Sequence, residues 1–321
     1  MAEQVLIQFR ADKLLKQEVA EIYEALGMDL PTAFRMFMIR SKIVKGLPFE
    51  ALFTEYAGHA SKLAREAAER DDENKIIVAM GGDGTISEVM DGIWDHEDVT
   101  FAYIPIGSGN DFAKTLGISS NWKEALKGIL KEEHRIGLHP GRVEFDGKVF
   151  HFGGSMGIGF DAAVCVAVEK LPFKSVFNRL GLGKFTYVGS AIKLLITSSC
   201  DKMKIRLDGK EVRQFDHVLF MCGLKGNYEG GGFKFAPNGT MDDPYIHLCM
   251  ADNIPIAKRF ALLPKAATGK HVGEPGVYMM NCQKVEILSS KPKYVHVDGE
   301  VLGLAKKVTV CLEKTVIPMV Y

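Results

Sequence analysis

The alternation of apolar and polar positions divides the chain into three stretches. In residues 1–50, Val5, Ile7 and Phe9 alternate with Leu6, Gln8 and Arg10, the period of a strand with one covered face. Asp12 stands at the N-cap of a helix with Leu15, Val19, Ile22 and Leu26 on one face, and Gly27 stops it. Pro31 fits the first turn of a second helix, which carries Phe34, Phe37, Met38 and Val44 and ends near Gly46. Residues 51–134 alternate helix, strand, glycine turn and helix, as α/β units do. Ile76–Met80 is a continuous apolar run, which predicts a buried parallel strand, and Ile86, Val89, Met90 and Ile93 then mark one helix face. Thr100–Ile106 predicts a second such strand. Residues 135–321 hold short alternating runs at Lys204–Leu207, His217–Cys222, Tyr245–Met250, Lys284–Leu288 and Tyr294–Val297, the texture of a β-sandwich-like domain.

Chemistry concentrates where the two apolar strands end. Gly81, Gly82 and Gly84 sit in the first strand-to-helix turn, where glycine lets backbone approach a ligand and N–H groups face phosphate. The string lacks the third glycine of a dinucleotide fingerprint, and Lys114-Thr115 lacks the glycine of a Walker A loop. Asp83 within the turn would repel bare phosphate, so a bridging Mg²⁺ gives it a purpose; a tight turn capped by Asp83 is the plainer alternative. The second strand runs into "GSGNDFAKTLGI", another glycine turn carrying an aspartate. Parallel strands place their carboxyl ends on one edge, so Ser108, Asn110 and Asp111 are expected to line the same crevice as Asp83.

Composition narrows the class without choosing an activity. The 321 residues are 47% hydrophobic and 25% charged with zero formal net charge, as in a globular protein without a global field for nucleic acid or anionic membrane. Six scattered cysteines with no CxxC pair read as reduced thiols, hence a cytoplasmic setting. No apolar run approaches the length of a membrane span.

Taken together, "GGDGT", "GSGNDFAKTLGI", "GIGFDA", "YEGGGFKFAPNGTMDD" and "VHVDGE" resemble the diacylglycerol kinase catalytic family, including YegS-type bacterial lipid kinases, from about Phe53 onward. NAD kinases and phosphofructokinases share a glycine-aspartate turn; the second loop and the "DGE" point to lipid kinases. The resemblance implies an ATP-binding α/β domain at 51–134 and a β-sandwich lipid domain at 135–321, whose C-terminus packs back on the first. It also implies ATP and Mg²⁺ as cofactors and a lipid substrate met at the inner face of a membrane. Gly81, Gly82, Asp83, Gly84 and Thr85 would correspond to the nucleotide loop, and Ser108, Gly109, Asn110 and Asp111 to the second nucleotide and substrate loop. Asp83 and Glu300 would be catalytic, Glu300 as the general base, and Asp242 would lie near a structural magnesium.

The sequence also departs from that family. No "NPxSG"-like phosphate loop precedes Thr54, which implies a weaker ATP cradle. Ser108 stands where threonine is usual, Pro244 follows Asp242-Asp243 where glycine is usual, and "HFGGSMGIGFDA" has glycine where asparagine is common. In place of the missing loop, "LGMDLPTAFRMFMIRSKIVKGLPFE" resembles RelB/DinJ-type ribbon-helix-helix antitoxins. A lone strand before two helices needs a second copy to pair with, so residues 1–50 imply a homodimer. Leu6, Gln8 and Arg10 would then face outward toward DNA, and a toxin is the other partner such a segment implies. The balanced charge of this stretch offers no excess for phosphate. Residues 170–193 combine Lys170, Lys174, Arg179, Lys184 and Lys193 with Phe173, Phe177, Leu180 and Phe185, fitting either a lipid-docking surface or an ordinary amphipathic helix. The rival to a lipid kinase is a non-catalytic DNA-binding or antitoxin-like regulator that keeps a kinase fold as a ligand sensor.

Overall fold

The computed structural model describes residues 13–25, 28–44, 49–72, 74–169 and 192–321, and the chain divides into two compact units, Met1–Phe53 and Thr54–Tyr321. The first unit holds α1 (Lys13–Ala25) and α2 (Leu30–Val44). The Asp29 carboxylate opens α2 by accepting the Thr32 amide at 2.7 Å. Pro31 sits in that first turn, where its missing N–H removes no helical bond. Phe34, Met36, Phe37, Met38 and Ile39 of α2 are exposed. The strand expected at 5–9, with Leu6, Gln8 and Arg10, lies outside the described residues, as do residues 170–191 of the basic, aromatic stretch.

The second unit begins with α3 (His59–Ala68), β1 (Lys75–Gly81), α4 (Asp83–Ile93), β2 (Val99–Pro105), α5 (Asp111–Leu116), α6 (Trp122–Lys131) and β3 (Arg135–Leu138). It continues through β4 (Gly141–Phe145), β5 (Lys148–Phe152), β6 (Ser155–Gly159), α7 (Phe160–Glu169), β7 (Asp201–Leu207), β8 (Val212–Leu224) and β9 (Ile246–Asp252). The last elements are α8 (Ile256–Ala267), β10 (Val277–Cys282), β11 (Lys284–Val297), β12 (Glu300–Leu312) and β13 (Ile317–Val320).

A four-stranded sheet in the order β1-β2-β13-β3 carries the first helices. β1 and β2 pair in parallel from Lys75↔Val99 to Gly81↔Pro105, so both strands end at the same edge. β13 joins β2 in parallel, with Met319 opposite Phe101, and pairs antiparallel with β3. Buried Ala60, Ala64 and Ala68 give α3 a flat apolar face that packs with α4 and β1. Glu88 of α4 accepts the Gly58 and Ala60 amides at 2.8 and 2.9 Å, satisfying donors at the start of α3.

Two expectations need correcting here. β1 is parallel but not buried on both faces: Ile76, Val78 and Met80 are 53%, 43% and 55% exposed, because β1 is the end strand of its sheet. On that face α6 covers the inner strands, Ala125 and Ile129 packing with Ala102, Ile104 and Val320. The domain boundary expected after residue 134 also moves, since β3 belongs to the small sheet through its pairing with β13.

The remaining strands form a nine-stranded sheet in the order β10-β9-β8-β6-β11-β12-β4-β5, with β7 pairing both β8 and β11. β8 and β11 are long, each using one part to pair β7 and another to pair β6, which curls the sheet around its core. Met156, Ile158, Met203, Met221, Val285, Val295 and Val310 lie in that core. The runs expected at Lys284–Leu288 and Tyr294–Val297 are one strand, β11, with a register shift between them. No helix among the described residues is long and apolar enough to cross a membrane.

Candidate active site

The two glycine turns at the ends of β1 and β2 interlock. The Ile106 and Gly107 amides both donate to the Gly81 carbonyl, at 2.9 and 3.0 Å. The Tyr103 hydroxyl lies 3.1 Å from that carbonyl and 3.1 Å from Asn110 Oδ1, and Asn110 Nδ2 donates to the Gly107 carbonyl at 2.8 Å. Asn110 itself has φ of 51°, a left-handed conformation that asparagine tolerates better than most residues. Gly82 precedes α4 in an extended conformation, and its carbonyl accepts the Thr85 and Ile86 amides.

These turns set three carboxylates around one crevice. Asp83 opens α4, and its Oδ1 accepts the Phe112 amide at 3.2 Å, which ties the two turns together. Asp111 is buried; its Oδ1 accepts from Lys114 at 2.7 Å and its Oδ2 from the Gly231 amide at 2.7 Å. Asp298, at the turn between β11 and β12, accepts the Gly153, Gly154 and Ser155 amides at 3.0, 2.9 and 2.6 Å. The residue keeps some exposed surface, but its carboxylate is turned inward onto those amides. Burial, and then the nearby Asp111 charge, push the Asp83 carboxyl above the usual aspartate range. Burial pushes Asp298 up to about 6 against its three amide donors, and the Asp83 charge adds to the rise. The Tyr103 hydroxyl is raised as well, by burial and by Asp83 and Asp111.

Asp83 and Asp298, desolvated and held above the usual carboxylate range beside a third carboxylate, are chemically suited to a hard divalent cation. Asp83 would hold a Mg²⁺ here, with Asp111 and Asp298 adding negative field. Gly81, Gly82, Gly84, Thr85, Ser108 and Gly109 lie on the two turns; a Cβ on Gly109 would come within 2.9 Å of Asp83 Oδ2. Glu300 begins β12, two residues beyond Asp298, and is exposed.

Asp242 is placed differently from its neighbour. It is exposed, whereas Asp243 makes the contacts, with His247 Nε2 at 2.7 Å, Thr240 Oγ1 at 3.2 Å and the Tyr245 amide at 3.0 Å. The buried Lys225 ammonium donates to the Asp243 and Tyr245 carbonyls at 2.5 and 3.0 Å. A cation, the Lys225 ammonium, is thus built into this turn from the chain itself. Burial lowers Lys225 to about 8. Asp298 and Lys225 are site features that the sequence reading missed. Asp298 lies inside the quoted "DGE", but its inward hydrogen bonds depend on the β6 turn.

A small mixed sheet whose parallel strands β1 and β2 end in two phosphate-type glycine turns, joined to a curled β-sandwich that contributes a carboxylate turn, defines a kinase-like two-part fold. The chain matches the diacylglycerol kinase catalytic domain over residues 38–138 and the YegS C-terminal NAD kinase beta sandwich-like domain over residues 154–319. It belongs to the lipid kinase family that these two domains define. The match reaches back to residue 38, ahead of the expected start near Phe53. The "Putative lipid kinase YtlR" of Bacillus subtilis (strain 168) is 29% identical over 271 residues, covering 83% of this chain and 87% of that protein. A "Diacylglycerol kinase" of Staphylococcus carnosus (strain TM300) is 26% identical over 260 residues, 80% of each chain. A crystal structure described as a "putative diacylglycerol kinase" from Bacillus anthracis str. Sterne superposes with a TM-score of 0.65 at 26% identity, covering 84% of this chain and 85% of that one.

Proposed function

We propose that the chain transfers the γ-phosphate of ATP to the hydroxyl of a diacylglycerol-like lipid at a membrane surface. The observation that carries this reading is the meeting of three carboxylates, Asp83 and Asp111 on the two interlocked glycine turns and Asp298 on the turn between β11 and β12. The turns at Gly81–Thr85 and Gly107–Asp111 cradle the nucleotide phosphates with the backbone amides they do not spend on each other. Mg²⁺, when bound, neutralises charge that develops on the transferred group. Glu300 takes the proton from the lipid hydroxyl as it attacks, and its exposure suits a base that must meet an incoming substrate. The Asp298 amide contacts fix the turn that presents Glu300.

The test is a labelled-ATP transfer assay with diacylglycerol and other hydroxyl lipids in vesicles. Transfer is expected to need Mg²⁺, to weaken in Asp83→Asn and to fall about a hundredfold or more in Glu300→Gln, the scale of a lost general base. Wild-type rates in both variants, or no transfer to any lipid of the panel, would remove this reading.

A further inference from the structure

Three of the quoted strings meet at a second place, beneath the crevice. Asp161 of "GIGFDA", Glu229 of "YEGGGF" and His296 of "VHVDGE" bring donor atoms within 4.8 Å of one another. His296 is 2% and Glu229 6% exposed. His296 Nε2 lies 3.0 Å from Glu229 Oε1 and 3.4 Å from Asp161 Oδ2, and neither Glu229 oxygen has a partner in hydrogen-bond geometry. Gly157 of β6 makes the space, since a Cβ there would collide with Asp161 and His296.

Two occupants suit such a cluster, a divalent metal or a proton, and the other side of the ring decides between them. The Gly299 N–H donates to His296 Nδ1 at 3.2 Å. Nδ1 is therefore the acceptor, and the ring proton lies on Nε2, between the two carboxylates. A metal on Nε2 would move that proton to Nδ1, where it would face the Gly299 N–H. Burial opposes a charge on the ring, but Cys165, Asp161 and Glu229 outweigh it and raise the imidazole well above its usual range; the Gly299 N–H aimed at Nδ1 opposes the second ring proton that this pull would add. Burial pushes the Glu229 carboxyl up to about 7 against the pull of His296, so near neutrality this carboxyl carries a proton about half the time.

His296 thus touches both halves of the crevice. On its Nδ1 side it holds Gly299, the residue before Glu300. On its Nε2 side it faces Glu229, which opens a loop closed by paired backbone bonds to Phe233, and Gly231 of that loop donates to Asp111. We propose that His296 is a positioning residue for phosphoryl transfer: its ring sets the turn that carries Glu300 against the loop that steadies Asp111. This rests on the kinase reading given above.

Two isosteres separate the two sides of the ring. His296→Asn keeps an acceptor where Nδ1 stood, and His296→Gln keeps a donor where Nε2 stood but leaves Gly299 without a partner. In the lipid-transfer assay, Gln is expected to lower kcat about tenfold, the scale of one lost hydrogen bond, with KM for ATP little changed. Asn is expected to hold kcat within about threefold. Hydrogen exchange of the Gly299 and Glu300 amides is expected to speed up in Gln and not in Asn. Equal losses in both variants, or equal exchange, would reduce His296 to a structural residue and overturn the proposal. Nitrogen NMR of the wild-type ring needs no variant: an Nε2–H tautomer is expected. An Nδ1–H ring, or resonances shifted by stoichiometric Zn²⁺, would also overturn it. If the wild type transfers no phosphate, the kinase reading fails, while the exchange and NMR results still decide whether the ring holds the turn.

Discussion

Gly107→Ala gives a direct test of the interlocked turns. A Cβ on Gly107 would stand 2.5 Å from Gly82 Cα, 3.2 Å from Gly82 N and 2.8 Å from Asn110 Oδ1. Ordinary contact begins near 3.4 Å, so the two turns must part by about 1 Å. The obstructing Gly82 atoms are backbone and cannot rotate away, so the strain has to move a phosphate-facing turn. Overpacking of this kind costs about 1–3 kcal/mol of stability. A shift of about 1 Å at a reacting group lowers the rate about a hundredfold. Loss of a single hydrogen bond to charged phosphate, about 1.5–3 kcal/mol, weakens ATP binding roughly ten- to a hundredfold. Calorimetric titration with Mg·ATP and urea unfolding measure the two effects separately. Gly84→Ala is the control for stability, because a Cβ there meets nothing within 4 Å. Wild-type stability and nucleotide affinity in Gly107→Ala, or an equal loss of stability in Gly84→Ala, would refute the argument.

Asp298→Ala orphans three amides; at about 1–3 kcal/mol per unsatisfied donor, less what entering water restores, a loss of about 3–5 kcal/mol is expected in urea unfolding. A loss under about 1 kcal/mol would mean that the carboxylate does not hold the turn. Asp91 gives a pH prediction: burial raises its carboxyl, but hydrogen bonds from His151 and Ser61 outweigh that, and the net shift is downward. A depressed carboxylate adds stability above the unfolded value near 3.9 that is lost as pH falls through its folded value. Asp91→Asn is therefore expected to flatten the acid side of the stability curve below about pH 4, and an unchanged acid limb would contradict this.

Much of the nucleotide half was legible because its signals are local. The spacing of Ile86, Val89, Met90 and Ile93 marks α4, and two apolar strands ending in glycine turns imply a shared edge, which the parallel register of β1 and β2 supplies. What was not legible depends on distant neighbours. Nothing in Ile76–Met80 states that β1 is an end strand, and nothing in Arg135–Leu138 says that its partner lies at Ile317–Val320. The side chains of Asp161, Glu229, His296 and Asp298 all stand in the quoted strings, yet their meeting depends on β6 and β11 pairing at Val295↔Ile158 and Val297↔Met156. Between Asp242 and Asp243, which differ by one position, only the path of the turn toward Lys225 and His247 decides which one is engaged.

The place of β13 between β2 and β3 has a consequence for how the protein is made. A ribosome delivers β1 and β2 early, but the slot beside β2 stays empty until residues 317–320 emerge. During that interval the nascent chain carries an open edge at β2 with apolar Phe101, Ala102 and Ile104 around it, a surface that invites pairing with other unfinished chains. Closing the sheet then requires contact between segments about two hundred residues apart, which is slow. The sheet that carries the two glycine turns is therefore completed only once residues 317–320 have emerged, and a ribosome stalled short of residue 317 would hold a chain whose β2 edge is still open.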